Sequence, residues 1–298
     1  MIEAFASAPS DKKFVFLTGD LGFKALEPLR EVMQEYFINA GISEQNMIST
    51  AAGLAKSGIT TFAYSIAPFI YARPFEQIRN DICLHDLPVT LIGNGGGYGY
   101  GVMGATHHAI EDYGSLLCLQ NMQAFIPAFD CDISPIISQI LHNKKPSYLR
   151  LGVAKNNDEI NKIPYSSWRK ILSGNAGTLV ITGSITSDLL AEFLNEDHNN
   201  RPNIWVISQL PIITLDENFI ADIQQSQKLC ILEEHVAQGG IAQMIALQLL
   251  KNNITPKYFT NFCAQGYVSG AYGSQDFHRQ ESQLTKSAIQ QFLQFHVT

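Results

Sequence analysis

Apolar residues along this chain recur in two rhythms. Short unbroken runs at 14–18, 36–39, 60–66, 89–92, 125–127 and 147–151 have the length and character of buried strands. Between them, apolar positions return at helical spacing over 27–35, 43–56, 69–85 and 133–142. The third of these is expected to be a long amphipathic helix, with Phe75, Ile78, Ile82 and Leu84 at helical spacing. Residues 155–167, KNNDEINKIPYSS, are polar and without period. Alternation then resumes, with strands expected at 178–182, 203–208, 228–233 and 257–261. Helices are expected there at 187–195, 218–225, 240–251 and 279–294.

Strands alternating with helices predict parallel sheets covered on both faces. The chain of 298 residues is thus expected to form two three-layer α/β domains, 1–154 and 169–298, joined by a linker at 155–168. Hydrophobic residues at 46% and charged residues at 16% suit folded domains with sizeable cores. A net charge of −7 and the lack of a basic stripe argue against nucleic acid; the basic pairs Lys12-Lys13 and Lys144-Lys145 read as solvated surface. Five widely spaced cysteines without a C-x-x-C suggest reduced thiols in the cytoplasm, not a disulfide or zinc framework. No secretory signal is visible near Met1, and no apolar run approaches the ~20 residues of a membrane span.

Open parallel sheets bind ligands on the loops beyond their strand ends. Four such loops carry chemistry-bearing residues. Asp20 lies in LTGDLG and Glu44 in NAGISEQN; Phe69 follows the strand at 60–66, and Gly93 to His108 form a long glycine-rich loop. Each has an ordinary alternative. Glu44 in a first helical turn complements the helix dipole. Phe69 can be core, with Tyr71 and Phe75 nearby. An Asp before Gly often just forms a turn. Gly99-x-Gly101-x-x-Gly104 has the spacing of a dinucleotide fingerprint, but the strand ends well before it and no helix opens at it. His107 and His108 could ligate a metal, yet adjacent side chains diverge and no third ligand is close in sequence.

Taken together, INAGISEQNMISTAAGLAKSG, YSIAPFIYARPFEQIRND and GNGGGYGYGVMGATHHAIEDYG resemble consecutive segments of the transketolase family. LCILEEHVAQGGIAQMIA resembles that family's C-terminal domain, so the likeness runs from about Lys13 to the end. The resemblance implies a thiamine-diphosphate-binding (pyrimidine) domain followed by a transketolase C-terminal domain. Glu44 would then be the carboxyl group that activates the cofactor through its aminopyrimidine ring; a glutamine could hydrogen-bond there but not exchange a proton. Phe69 would stack on that ring, and Asp20 would lie near the cofactor. His107 would face the reacting carbon and handle substrate hydroxyl protons, with Met103 beside it and His108 either a neighbour in the site or a helix-start residue. Arg150, in PSYLRLG, aligns with an arginine that binds substrate phosphate in relatives; the plain alternative is a strand-end surface arginine. Gly239 and Gly240 would allow close packing at a helix start.

Two departures shape the expectation. Full-length members hold the diphosphate and its divalent ion, usually magnesium, with a G-D-G segment and a later Asn; here Gly19-Asp20 is followed by Leu21. No metal site is therefore expected on this chain. An N-terminal partner subunit is expected to supply it, in a heterotetramer acting on small sugar substrates. Met103 also stands where many relatives carry an acid, and no histidine lies near Asn94, where transketolases place one that binds sugar phosphate. The expected reaction is transfer of a two-carbon ketol or acyl unit. A 2-oxo acid dehydrogenase β-type subunit and a deoxyxylulose-phosphate-synthase-like ligase are alternatives with the same chemistry. A nucleotide-binding oxidoreductase or a non-catalytic scaffold would be of another class.

Overall fold

Strands that are buried along most of their length take the middle of a seven-stranded sheet. In chain order its first strands are β1 (Phe14–Thr18), β2 (Phe37–Asn39), β3 (Thr60–Ile66), β4 (Val89–Asn94), β5 (Gln123–Phe125) and β6 (Ser147–Leu151). Residues 5, 14–22, 25–154 and 163–294 are described by the structure, a computed structural model. Most of the expected linker, 155–162, lies outside them, as do residues 1–4, 6–13, 23–24 and 295–298. Consecutive side chains on these strands point to opposite faces. Leu17, Ala63 and Leu91 pack with α2 (Glu44–Lys56), whereas Phe16, Phe62 and Ile92 pack with α1 (Glu27–Met33) and α6 (Ile133–Asn143). Ala51, Ala52 and Ala55 form the buried stripe of α2, and their small side chains let the helix lie close to the sheet.

The long helix expected at 69–85 is broken. A short α3 (Ala67–Tyr71) ends before Ala72, and α4 (Phe75–Gln77) continues as a π-turn over Ile78–Cys83. Pro74 explains the break: it offers no N–H to the preceding turn and pushes Arg73 out of helical backbone. The helix expected at 279–294 is likewise two, α10 (Gln275–Glu281) and α11 (Lys286–Gln294).

The second sheet is built from β7 (Trp168–Leu172), β8 (Thr178–Ile181), β9 (Asn203–Ile207), β11 (Lys228–Glu233) and β12 (Tyr258–Cys263). They lie in the order β12-β11-β8-β9-β7. On one face α7 (Ile185–Phe193) and α11 pack with Leu179 and Ile181; on the other, α8 (Glu217–Ser226) and α9 (Ile241–Lys251) pack with Val180 and Ile231. Neither sheet is purely parallel, contrary to expectation. β7 runs antiparallel to β9, and β10 (Gln209–Leu210), which follows β9, pairs antiparallel with β5 at the edge of the first sheet. β7 buries Arg169, whose Nη2 donates to Asp132 at 2.5 Å in the first half of the chain.

Between the sheets lies a dense polar contact. The Arg279 guanidinium forks onto Glu234, Nε to Oε1 and Nη2 to Oε2 at 3.0 Å each, and Nη1 reaches Asp188 at 2.9 Å. Glu233 accepts from Tyr113, in α5 (Asp112–Leu116), at 2.5 Å and from the N–H of Ile241 at 2.7 Å, capping α9. This cap explains Gly240: a Cβ there would lie 2.6 Å from the Glu233 carboxylate. His235 stacks on Tyr113, its ring centroid 3.9 Å away; its Nδ1 donates to the Val236 carbonyl and its Nε2 accepts from Gly114 N–H. No helix of the described residues is long and apolar enough to cross a membrane.

This clasp should impose a pH signature. Burial pushes the Glu233 carboxyl from 4.5 up to about 7, against the donors that hold it. Between those values the folded chain carries a proton that the unfolded chain has lost. Glu233 therefore favours folding fully below about pH 4.5 and loses that contribution as pH rises through 7. Burial moves His235 the other way, from 6.5 to about 4, so its contribution is lost as pH falls through that window. The stability of wild type relative to Glu233→Gln should thus shrink as pH rises from 4.5 to 7, by up to ~1.4 kcal/mol per pH unit. Urea unfolding of both proteins at a series of pH values measures it; a difference that stays constant with pH would refute it.

Candidate active site

Glu44 opens α2 directly beyond the end of β2 and is 8% exposed. The loop before it is set by short-range bonds. Asn39 Oδ1 accepts from Gly41 N–H at 2.9 Å, and the Asn39 amide donates to Asp20 Oδ1 at 3.1 Å. Asp20, exposed at the end of β1, thus braces the loop that carries Glu44.

Phe69, half-buried in α3, faces this corner. Its partners are unlike those of a core aromatic. The Arg73 guanidinium carbon lies 3.6 Å from its ring centroid, and the His107 ring lies 5.2 Å away. The same guanidinium donates from Nη1 to Glu44 Oε1 at 2.7 Å. Glu44 and Phe69 are therefore joined through Arg73, a residue the sequence did not single out, and His107 meets the same Phe69 ring. Tyr100 is a second addition: its ring is 5.7 Å from His107, and its hydroxyl accepts from the Asn94 amide at 3.0 Å. Asn94 closes β4, and its amide stands in the region where the resemblance led one to look for a histidine.

His107 is placed by the glycine-rich loop. Gly97 and Ala109 exchange backbone hydrogen bonds at 2.9 Å and close its base. Gly104 turns the chain with φ +70°, and its carbonyl accepts from the N–H groups of both His107 and His108. A side chain at Gly104 would also strike Tyr272, 2.8 Å from an added Cβ. Thr106 Oγ1 and His107 Nδ1 are 2.8 Å apart. The loop forms a 3-10 turn over Gly101–Thr106 and does not lead a strand into a helix, so its glycines are not arranged as a dinucleotide cradle.

Three expected substrate contacts fall differently. His108 turns away from His107 into the contact between the domains and is 3% exposed. Its Nε2 donates to the Gly101 carbonyl at 2.7 Å, and its Nδ1 accepts from Tyr267 at 3.0 Å. Burial lowers its pKa, consistent with this neutral tautomer. Both ring nitrogens are thus engaged within the chain. Arg150 is also withdrawn, at 4% exposure. Its Nε donates to Asp112 at 2.7 Å, and its Nη2 to the carbonyls of Ala109 and Glu234 at 2.8 Å. It ties the β6 strand end to the second domain and does not present its fork to a phosphate. Breaking a buried pair of this kind typically costs about 3–5 kcal/mol. Met103 is 53% exposed on the surface of the loop, with no acid in its place. Among the described residues no three His, Cys, Asp or Glu side chains gather as a metal site.

Comparison with known proteins follows the same lines. Residues 3–156 match the family described as transketolase, pyrimidine binding domain. The B-type subunit of apulose-4-phosphate transketolase from Actinobacillus succinogenes is 29% identical over 254 residues, which cover 83% of this chain and 81% of that one. The 1-deoxy-D-xylulose-5-phosphate synthase of Clostridium perfringens is 26% identical over 249 residues; the match covers 81% of this chain but only 40% of that enzyme. Among solved structures, a split-gene transketolase described as an inactive beta4 tetramer superposes with a TM-score of 0.81 at 24% identity. That match covers 99% of this chain and 95% of the other. The two α/β domains, the matched pyrimidine binding domain and the relatives agree: this chain belongs to the transketolase family.

Proposed function

We propose that this chain is the C-terminal, β-type subunit of a split thiamine-diphosphate-dependent transketolase. It would transfer a two-carbon ketol unit to a sugar-like carbonyl together with an N-terminal partner subunit. The observation that carries this reading is the convergence of an acid, an aromatic face and a histidine, Glu44, Phe69 and His107, beyond the strand ends of one sheet. The residues fit the cofactor's pyrimidine end. A flat cationic N–H donor, the Arg73 guanidinium, already lies on Phe69 and donates to Glu44; an aminopyrimidine ring is flat in the same way, and its ring nitrogen, once protonated, is an N–H donor to the same carboxyl group.

When bound, the cofactor supplies a carbanion at C2 of its thiazolium ring. Glu44 would hold and pass a proton at the pyrimidine ring nitrogen. Phe69 would fix the ring plane. With Nδ1 engaged by Thr106, His107 would use Nε2 to take and return substrate hydroxyl protons. Tyr100, held by Asn94, would limit the tilt of that imidazole. Asp20 would act at one remove, through Asn39 and the loop before Glu44. The diphosphate and its divalent ion are assigned to the partner, and the assembly to two copies of each chain. The names of the relatives, one a transketolase subunit of B type and one a split-gene transketolase, support a two-chain enzyme. A synthase among the relatives keeps acyl transfer as the second reading.

The acceptor provides the test. Met103 offers no acid, Asn94 is engaged with Tyr100, and Arg150 is buried, so these residues bring no dedicated phosphate ligand to His107. Any phosphate, such as that in the name of the apulose-4-phosphate relatives, would have to find its cation on the partner. With the reconstituted enzyme, an uncharged or differently modified sugar should exceed ribose 5-phosphate in kcat/KM by roughly tenfold or more. Ribose 5-phosphate as the best of an acceptor panel would overturn the substrate assignment. Absence of ketol or acyl transfer from every donor tried would overturn the function.

A further inference from the structure

Arg73 holds both places that the proposed reading gives to the pyrimidine ring. Its guanidinium lies flat enough on Phe69 to bring its central carbon within 3.6 Å of the ring centroid, and its Nη1 is 2.7 Å from Glu44 Oε1. We infer that Arg73 is a placeholder that occupies the pyrimidine site and must withdraw for the cofactor to enter, so that it sets cofactor affinity. The inference rests on the assignment of Glu44 and Phe69 to the pyrimidine.

Local structure suits such a role. Arg73 stands in the gap between α3 and α4 that Pro74 imposes, so its backbone is not held in a helical ladder. Its side chain is 45% exposed, whereas that of Glu44 is 9% exposed, so one partner can swing to solvent while the other stays in place. The contacts that hold it inward are a half-exposed ion pair and a cation–π contact, both weak enough to exchange with a ligand. They are also geometrically specific. A planar guanidinium can stack and donate at once, which a lysine ammonium cannot do. Arg73 covers the aromatic face and donates to the buried Glu44 carboxyl group, the two contacts a pyrimidine ring would need. If the closed arrangement dominates, the apparent affinity for a pyrimidine falls by the fraction of chains that are open.

The alternative is that Arg73 is a fixed support that orients Glu44 while the ring binds elsewhere on Phe69. The two ideas predict opposite signs. The probe is a 4-aminopyrimidine fragment without thiazolium or diphosphate, titrated against the full chain alone and followed by ligand-observed NMR. This needs neither the partner nor turnover. Arg73→Ala should bind the fragment about 5- to 30-fold more tightly than wild type. Arg73→Lys should fall between them, and Arg73→Ala with Glu44→Gln should lose the gain. Equal or weaker binding by Arg73→Ala overturns the placeholder, as does a failure of both proteins to bind. The wider reading is judged separately: C2 proton exchange in the assembled enzyme reports on the cofactor whatever Arg73 does.

Discussion

Glu44→Gln is expected to keep the fold and slow C2 proton exchange of bound cofactor by roughly 10²–10⁴-fold in the assembled enzyme. Glutamine has nearly the same shape and can still meet a ring nitrogen, so binding should survive. What it lacks is a proton to exchange. Glu44 is 8% exposed at the start of α2, and the nearby acid on the loop side, Asp20, is engaged with Asn39 and so is not placed to substitute. Exchange measured by NMR after mixing with deuterated water, with the partner present and the cofactor shown to be bound, is the check. Near-wild-type exchange would remove Glu44 from its assigned role.

The second large effect concerns assembly. Alone, this chain should bind thiamine diphosphate roughly 10²-fold or more weakly than the complex, and should catalyse no transfer. The diphosphate is the strongly charged end of the molecule, and its divalent ion needs oxygen ligands from protein as well as phosphate. On this chain the proposed contacts for the ring are an aromatic face and one carboxyl group, which would have to offset an association cost of several kcal/mol. Calorimetry with magnesium, with and without the partner, decides it; tight binding by the isolated chain would refute the division of labour. Sedimentation of the mixture should show a two-by-two complex.

Much of this was legible in the sequence, for reasons that differ by element. The bounds of β1, β3, β6 and β11 coincide with the apolar runs, because strands buried on both faces need no alternation. The helix expected at 69–85 failed at Pro74, a local rule outweighed by the amphipathic stripe around it. β7 was missed because a buried arginine interrupts its pattern, and that arginine is intelligible only with Asp132, 37 residues away. The site divides the same way. Glu44, Phe69 and His107 lie within readable segments. By contrast, Arg150 and His108 are decided by Asp112 and Tyr267, at separations of 38 and 159 residues, which no local reading can supply. Arg73 escaped notice because its position follows from the helix break.

The two-residue strand β10 has a consequence for how this protein can be divided. It comes from the second half of the chain yet covers the outer edge of β5 in the first sheet. A fragment ending at residue 154 would lack it, and β5 would present a row of unpaired backbone groups beside buried apolar strands. Such a bare edge is a template for pairing with another copy. The pyrimidine-binding half, expressed by itself, should therefore self-associate through β5, and a proline or lysine introduced along that edge should return it to solution.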